Sequence, residues 1–440
     1  VSKPSPRIAQ VEGLRAVAAG AVFLTHLGQR SHFTSDNALG PVVARLNVGV
    51  TIFFVITGYL LYRPWVAARL AGRPTPRVGR YAVRRLARIV PAYWLALIVL
   101  GLLLPDFVRH VFDREGWASF AFLQVYSYDW LSNGLTVAWS LCTEMAFYAL
   151  LPALAFVVVR AIGARSRGQQ IRIELLALGC SALVAVGLLE VAHSAQWGPT
   201  YPITVAGKWP WFAVGMALAV ASVAWPDAGD RPRLLRSARS WPWLWWGAAG
   251  AVLLIAAAML PREVFFMTYR DAMLETVLFA LLAGLVVTPV VFGTVRTPGS
   301  PARLLAARPI TWLGAVSYGI FLWHLPIIDW TVRETQGSSV ALQGVVSLAI
   351  TLPCAAASWY LLERPIINLA HGRPSRDVTA ARVDAMAEQN PTPLMICVVC
   401  GQSVAADEAV PLPEHHESGE IISTLVRHVG CDVPAAGTAS

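Results

Sequence analysis

An arginine and a histidine stand eleven residues apart in the first apolar stretch of the chain, "RAVAAGAVFLTH" from Arg15 to His26. Eleven steps of a helix overshoot three full turns by only about 20°, so the two side chains share one stripe, about 16 Å apart. Charged groups at such depth usually face a bundle interior and mark a pathway or a site. The plainer alternative is an arginine snorkelling to the inner interface and a histidine bonded to a backbone carbonyl. Other apolar stretches carry similar groups. Glu144 lies in "WSLCTEMAFY", His324 in "SYGIFLWHLP", Arg63 in "FFVITGYLLYRP", and Arg84, Arg85 and Arg88 in "RRLARIVPAYW". "SWYLLERP" adds Glu363 and Arg364. Counted from the ends of their stretches, these groups fall into two layers. An arginine layer lies at the inner mouth, and His26, Glu144 and His324 form a layer in the outer half. Arginine forks suit phosphates. A histidine near a carboxylate suits base or nucleophilic work on a hydroxyl. A long, thin substrate with phosphates at one end would reach both layers, and an acyl-coenzyme A fits that description.

The elements that must position these residues are membrane helices. The chain has 440 residues, of which 56% are hydrophobic and only 14% charged, against about 25% charged in an ordinary soluble domain. Apolar runs long enough to cross a bilayer recur near 10–29, 48–66, 89–108, 135–159, 173–194, 204–225, 241–260, 271–292, 311–332 and 340–363. The expected fold is therefore an all-α polytopic membrane protein of about ten transmembrane helices. No small-residue cleavage site follows the first run, so it does not read as a signal peptide. Arginines crowd alternate loops: 69–88, 160–172, 231–239 and 296–308. The positive-inside rule then places both termini in the cytoplasm. The loop 109–134 falls outside and is rich in aromatics. Its core "WASFAFLQVY" is too short to span, which leaves an interfacial or re-entrant segment, an aromatic belt, or a lid or acceptor platform.

The character changes after Pro365. Residues 1–370 form the expected membrane domain, 371–395 a polar linker, and 396–440 a cytoplasmic tail. Cys397 and Cys400 make a C-x-x-C, and His428 and Cys431 an H-x-x-C further on. Cytosolic thiols stay reduced, so four such ligands suit structural zinc better than disulfides. The alternative is a disordered tail with incidental cysteines.

Four segments, in order between about residues 7 and 368, resemble the membrane-bound acyltransferase type 3 family. They are "VEGLRAVAAGAVFLTH", "VGVTIFFVITGYLL", "AWSLCTEMAFYALLP", and "LGAVSYGIFLWHLPII" with "SWYLLERPI". The resemblance implies a multi-pass acyl-coenzyme A O-acyltransferase of a bacterial cell membrane, with acetyl-coenzyme A as the expected donor. It implies that Arg15 and His26 are essential, with His26 the base, that Glu144 supports the site, and that the cluster Arg84, Arg85 and Arg88 faces the coenzyme. Arg15 and Arg63 join that cluster as expected donor ligands. Trp139, Ser140, Tyr318 and His324, within the same motifs, are the expected substrate-binding residues. Two positions depart from the family pattern. Met145 follows Glu144 where a second carboxylate is usual, and Val11–Glu12 stand in the first-helix signature. Many members carry an extracellular esterase-like domain. The chain contains none, so direct acylation of the acceptor is expected.

The leading expectation is acyl transfer to a hydroxyl of a glycan or glycosylated small molecule, in the lipid bilayer and without nucleic acid. A transporter of an anionic or amphipathic solute is the alternative. Internal repeats and paired broken helices would favour it, and the sequence displays neither. A receptor or scaffold recruiting through the tail is a third reading.

Overall fold

The computed structural model describes residues 6–263, 268–293 and 302–371, and four short strands at 395–396, 403–404, 409–413 and 424–428. The chain divides into two units, Val1–Ala370 and His371–Ser440.

The first unit is all-α. Its principal helices are α1 (Pro6–Arg30), α2 (Val48–Leu70), α3 (Val78–Leu103), α4 (Trp139–Ile162), α5 (Arg167–Ser194) and α6 (Trp209–Ala224). They continue with α7 (Pro242–Met259), α8 (Tyr269–Phe292), α9 (Arg308–Ala315), α10 (Ser317–Glu334) and α11 (Val340–Ala357). A π-helical turn, Ser358–Glu363, then leads into α12 (Arg364–His371). Each apolar run of the sequence coincides with helix. Among the described residues, seven helices are long and apolar enough to cross a membrane, or eight if α9 and α10 count as one broken span. α6 is apolar but shorter, and α1 carries Glu12, Arg15 and His26. Local sequence sets several starts. Ser166 with Gln169 and Thr268 with Asp271 form capping boxes at α5 and α8, and Ser339 caps α11. Each satisfies N–H groups that the first turn leaves unpaired.

α2 runs through the middle of the bundle. It meets α6 so closely that a Cβ on Gly215 would lie 2.1 Å from the Val55 carbonyl oxygen, so only glycine fits there. Phe212 of α6 stacks on Phe54 at 4.6 Å and on Phe147 of α4 at 4.1 Å, tying three helices together. Two buried carboxylates elsewhere in the bundle are paired with cations. Glu174 accepts from Tyr62 and Arg69. Lys208 contacts Glu275 at 3.1 Å, and Asn47 donates to the same carboxylate at 3.0 Å.

Three expectations change. The span placed at 89–108 begins eleven residues earlier and ends at Leu103, because Arg84, Arg85 and Arg88 are carried on the helix instead of preceding it. The span placed at 311–332 is two helices bent by 68°. α9 packs so tightly on α1 that a Cβ at Gly314 would lie 1.9 Å from the Glu12 carbonyl oxygen, and the chain turns at Val316 to start α10. The loop 109–134 is not a re-entrant helix. It is a folded cap of one-turn helices, Trp117–Phe120 and Tyr128–Leu131, pinned by Tyr93 to the Ser119 carbonyl at 2.9 Å and Trp94 to the Phe120 carbonyl at 3.0 Å.

In the second unit, Met395–Ile396 pairs antiparallel with Ser403–Val404, and Ala409–Pro413 with Thr424–His428. A polar tail gave no expectation of strands. The linker 371–395 lies almost wholly outside the described residues. So do Cys397, Cys400 and Cys431. His428 ends a strand. No group of three metal-ligating side chains occurs among the described residues.

Candidate active site

Helices α1 and α10 run in the same direction and touch in three rungs. Arg15 donates from Nε and Nη2 to Ser317 Oγ at 3.3 and 3.1 Å. His26 Nδ1 lies 2.9 Å from His324 Nε2. Arg30 Nε meets Asp329 Oδ1 at 2.6 Å. The break before α10 matters locally, because Ser317 is its first residue and stands where it can receive Arg15.

The middle rung has a defined polarity. His324 is buried, and its Nδ1 lies 3.0 Å from the Ile320 carbonyl and 2.8 Å from the Phe321 carbonyl. Carbonyls only accept, so the proton of neutral His324 is on Nδ1 and its Nε2 must accept. The bond from His26 is then Nδ1–H donating to His324 Nε2, which leaves the lone pair of His26 on Nε2. A fixed tautomer with a basic nitrogen is what general base catalysis requires.

Below this rung lies a cavity of about 820 Å³, counted to its open mouth. Its polar wall is Arg15, Arg85, Arg88, Ser140, Glu144 and Ser317, and its apolar wall includes Val50, Phe53 and Phe321. Glu144 accepts from Thr57 Oγ1 and from Tyr148 OH, each at 2.7 Å. Arg15 lies 3.8 Å from Glu12. Glu363, buried in the π-helical turn and bonded to Ser358 Oγ at 2.8 Å, lies within electrostatic range of Arg88 and Arg15. Arg85 also lines a second recess of about 830 Å³ with Arg77, Arg80 and Arg84. The two spaces share Leu60, Leu61 and Arg85. The Nε–H groups of Arg84 and Arg85 are buried without a partner among the described residues.

The sequence places these residues unevenly. His26 and His324 meet. Glu144 does not join them; it lines the arginine cavity instead. Its depth was counted from residue 135 as if the helix began at the membrane surface. α4 begins at Trp139, after the buried Val137 and Ala138, so counting from residue 135 does not set the depth of Glu144. Arg15, Arg85 and Arg88 come together. Arg84 faces the neighbouring recess. Arg63 lines neither space and donates to Ser222 Oγ at 3.2 Å. Ser140 and Tyr318 line the cavity, and Tyr318 OH donates to the Ile89 carbonyl at 2.8 Å. Trp139 supports it from behind, edge-on to Phe54. Sequence reasoning did not single out Thr57, Tyr148, Ser317 or the Arg30–Asp329 rung. Tyr148 could have been found four residues after Glu144, on the same helix face. Asp329, a carboxylate inside an apolar run, was an equally legible signal.

A bundle of membrane helices enclosing an arginine-lined cavity under a paired histidine defines an integral membrane protein with room for an anion beside a group able to do acid–base chemistry. The acyltransferase-domain family profile matches residues 8–360, and the chain belongs to that family. Among its relatives is the peptidoglycan O-acetyltransferase OatA of Listeria monocytogenes, 24% identical over 377 residues, covering 82% of this chain and 56% of that protein. The putative peptidoglycan O-acetyltransferase YrhL of Bacillus subtilis is 28% identical over 402 residues, covering 85% and 57%. The chain thus spans little more than half the length of these two relatives. The acyltransferase MdmB of Streptomyces mycarofaciens is 25% identical, covering 82% of this chain and 92% of its own. No solved structure matches the chain.

Proposed function

We propose that this protein transfers an acyl group, acetyl in the simplest case, from a cytoplasmic acyl-coenzyme A to a hydroxyl of an external glycan. The observation that carries the reading is the stacking of an arginine-lined cavity beneath a histidine whose tautomer leaves Nε2 basic. The fit to a phosphate-bearing donor rests on the orphaned N–H groups of Arg84 and Arg85, which a phosphate would satisfy. Arg15 and Arg88 continue that positive path inward. The names of the OatA and YrhL relatives support a glycan acceptor.

In the reaction, the acceptor oxygen attacks the thioester carbonyl while His26 Nε2 takes the hydroxyl proton. The C–S bond breaks, and the departing thiolate recovers that proton from the imidazolium. His324 Nε2 steadies the positive charge on His26 through the bond from Nδ1. Replacement of His26 by Ala should lower transfer by about 10²–10⁴-fold with membrane insertion unchanged, measured with radiolabelled acetyl-coenzyme A in membranes. Activity within a few-fold of wild type would sink the assignment.

A further inference from the structure

Beyond the histidine rung, on the side opposite the arginine cavity, α1 and α10 open into a vestibule of about 940 Å³, counted to its open mouth. It shares no lining residue with that cavity. Its floor is the ion pair of Arg30 and Asp329, at 2.6 Å. Arg30 is one turn past His26, a rise of about 6 Å, so the floor stands one sugar ring away from the histidine. Phe107 forms an apolar wall, with the Arg333 guanidinium 4.6 Å from its ring centre. Gln343 lines the space and is 5% exposed, and its Nε2 donates to the Thr335 carbonyl at 3.5 Å. Its Oε1 has no partner among the described residues, and neither has the Oγ of Ser338 on the same wall. A buried amide oxygen left unsatisfied is destabilising, and a donor from a ligand would satisfy it.

We propose that this vestibule is the acceptor subsite and that its occupant is a pyranose ring of a glycan. The reading rests on the proposed O-acyltransferase function. A pyranose presents an apolar C–H face suited to Phe107 and equatorial hydroxyls suited to planar partners. Gln343 Oε1 receives one of those hydroxyls, and the Arg30–Asp329 pair offers a donor and an acceptor side by side. A ring seated on that pair lies about one helical turn from His26. The vestibule therefore selects which hydroxyl is acylated, while the arginine cavity handles only the donor.

The test uses the full chain in lipid nanodiscs with a β-1,4-linked N-acetylglucosamine tetrasaccharide as acceptor and acetyl-coenzyme A as donor. Gln343→Leu should raise the acceptor KM about three- to tenfold, the loss of one net hydrogen bond, with kcat and donor KM unchanged. Phe107→Leu, which keeps an apolar side chain, should move the acceptor KM in the same direction. Unchanged acceptor KM in both variants would overturn the subsite even with transfer intact. Saturation-transfer NMR of the tetrasaccharide separates the two claims. Saccharide binding weakened about three- to tenfold in Gln343→Leu, with no acyl transfer by wild type, would keep the subsite and remove the transferase reading. Absence of saccharide binding to wild type would overturn the subsite.

Discussion

Replacing His324 by Ala tests the histidine rung apart from the base itself. His324 is not placed to touch the reacting atoms; it fixes the tautomer of His26 and faces the nitrogen that becomes positively charged. In the resting state the 2.9 Å bond joins two neutral rings and contributes about 1 kcal/mol. When His26 takes the proton the same bond becomes charge-assisted, worth about 1.5–3 kcal/mol. That difference acts only in the transition state. At about 1.4 kcal/mol per decade of rate, kcat should fall about two- to thirtyfold with donor KM unchanged. His324→Gln, whose amide oxygen can still accept, should recover part of the loss. The assay is steady-state transfer from acetyl-coenzyme A to a saccharide, with donor and acceptor varied separately. A kcat within twofold of wild type, or a change confined to donor KM, would refute the tautomer argument.

Arg15→Lys should raise donor KM, because a point charge cannot replace a planar fork that already bridges to Ser317; movement of acceptor kinetics alone would contradict the donor role. In a background without native cysteines, single cysteines at Arg236 and Arg239 should resist an impermeant thiol reagent in intact cells, while those at Ala121 and Asp129 should label. All four positions are exposed, so the reverse pattern would invert the orientation. If Cys397, Cys400, His428 and Cys431 hold one zinc, metal analysis should find about one equivalent, lost on truncation after residue 371 with acyl transfer retained; substoichiometric metal in the full chain would remove that expectation.

The helical class and the segments that form it were legible because the signal is physical and local: apolar runs of bilayer length, with arginines at alternate ends. The Arg15–His26 stripe was legible for the same reason, since helix periodicity alone fixes it. What periodicity cannot supply is where a helix begins relative to its neighbours. Glu144 was placed level with the two histidines, yet it lines the cavity beside Arg15 and Ser317, because counting along one helix does not say how deep that helix begins among its neighbours. The bend between α9 and α10 was invisible because it arises from the contact of Gly314 with the Glu12 backbone, a pairing 302 positions apart in the chain. The meeting of His26 with His324 depends on two helices running side by side in the same direction, which loop charges imply but do not locate. Arg63 shows the converse. Its depth suited the donor layer, but its face of α2 turns toward Ser222.

The most direct measurement uses sealed, inside-out membrane vesicles bearing the protein, with the tetrasaccharide trapped in the lumen and radiolabelled acetyl-coenzyme A added outside. The arrangement of arginine cavity, histidine rung and vestibule predicts that the trapped saccharide acquires labelled acetyl ester, and that His26→Ala vesicles leave it unlabelled. Label appearing on saccharide only when both substrates are on the same side of the membrane would contradict it.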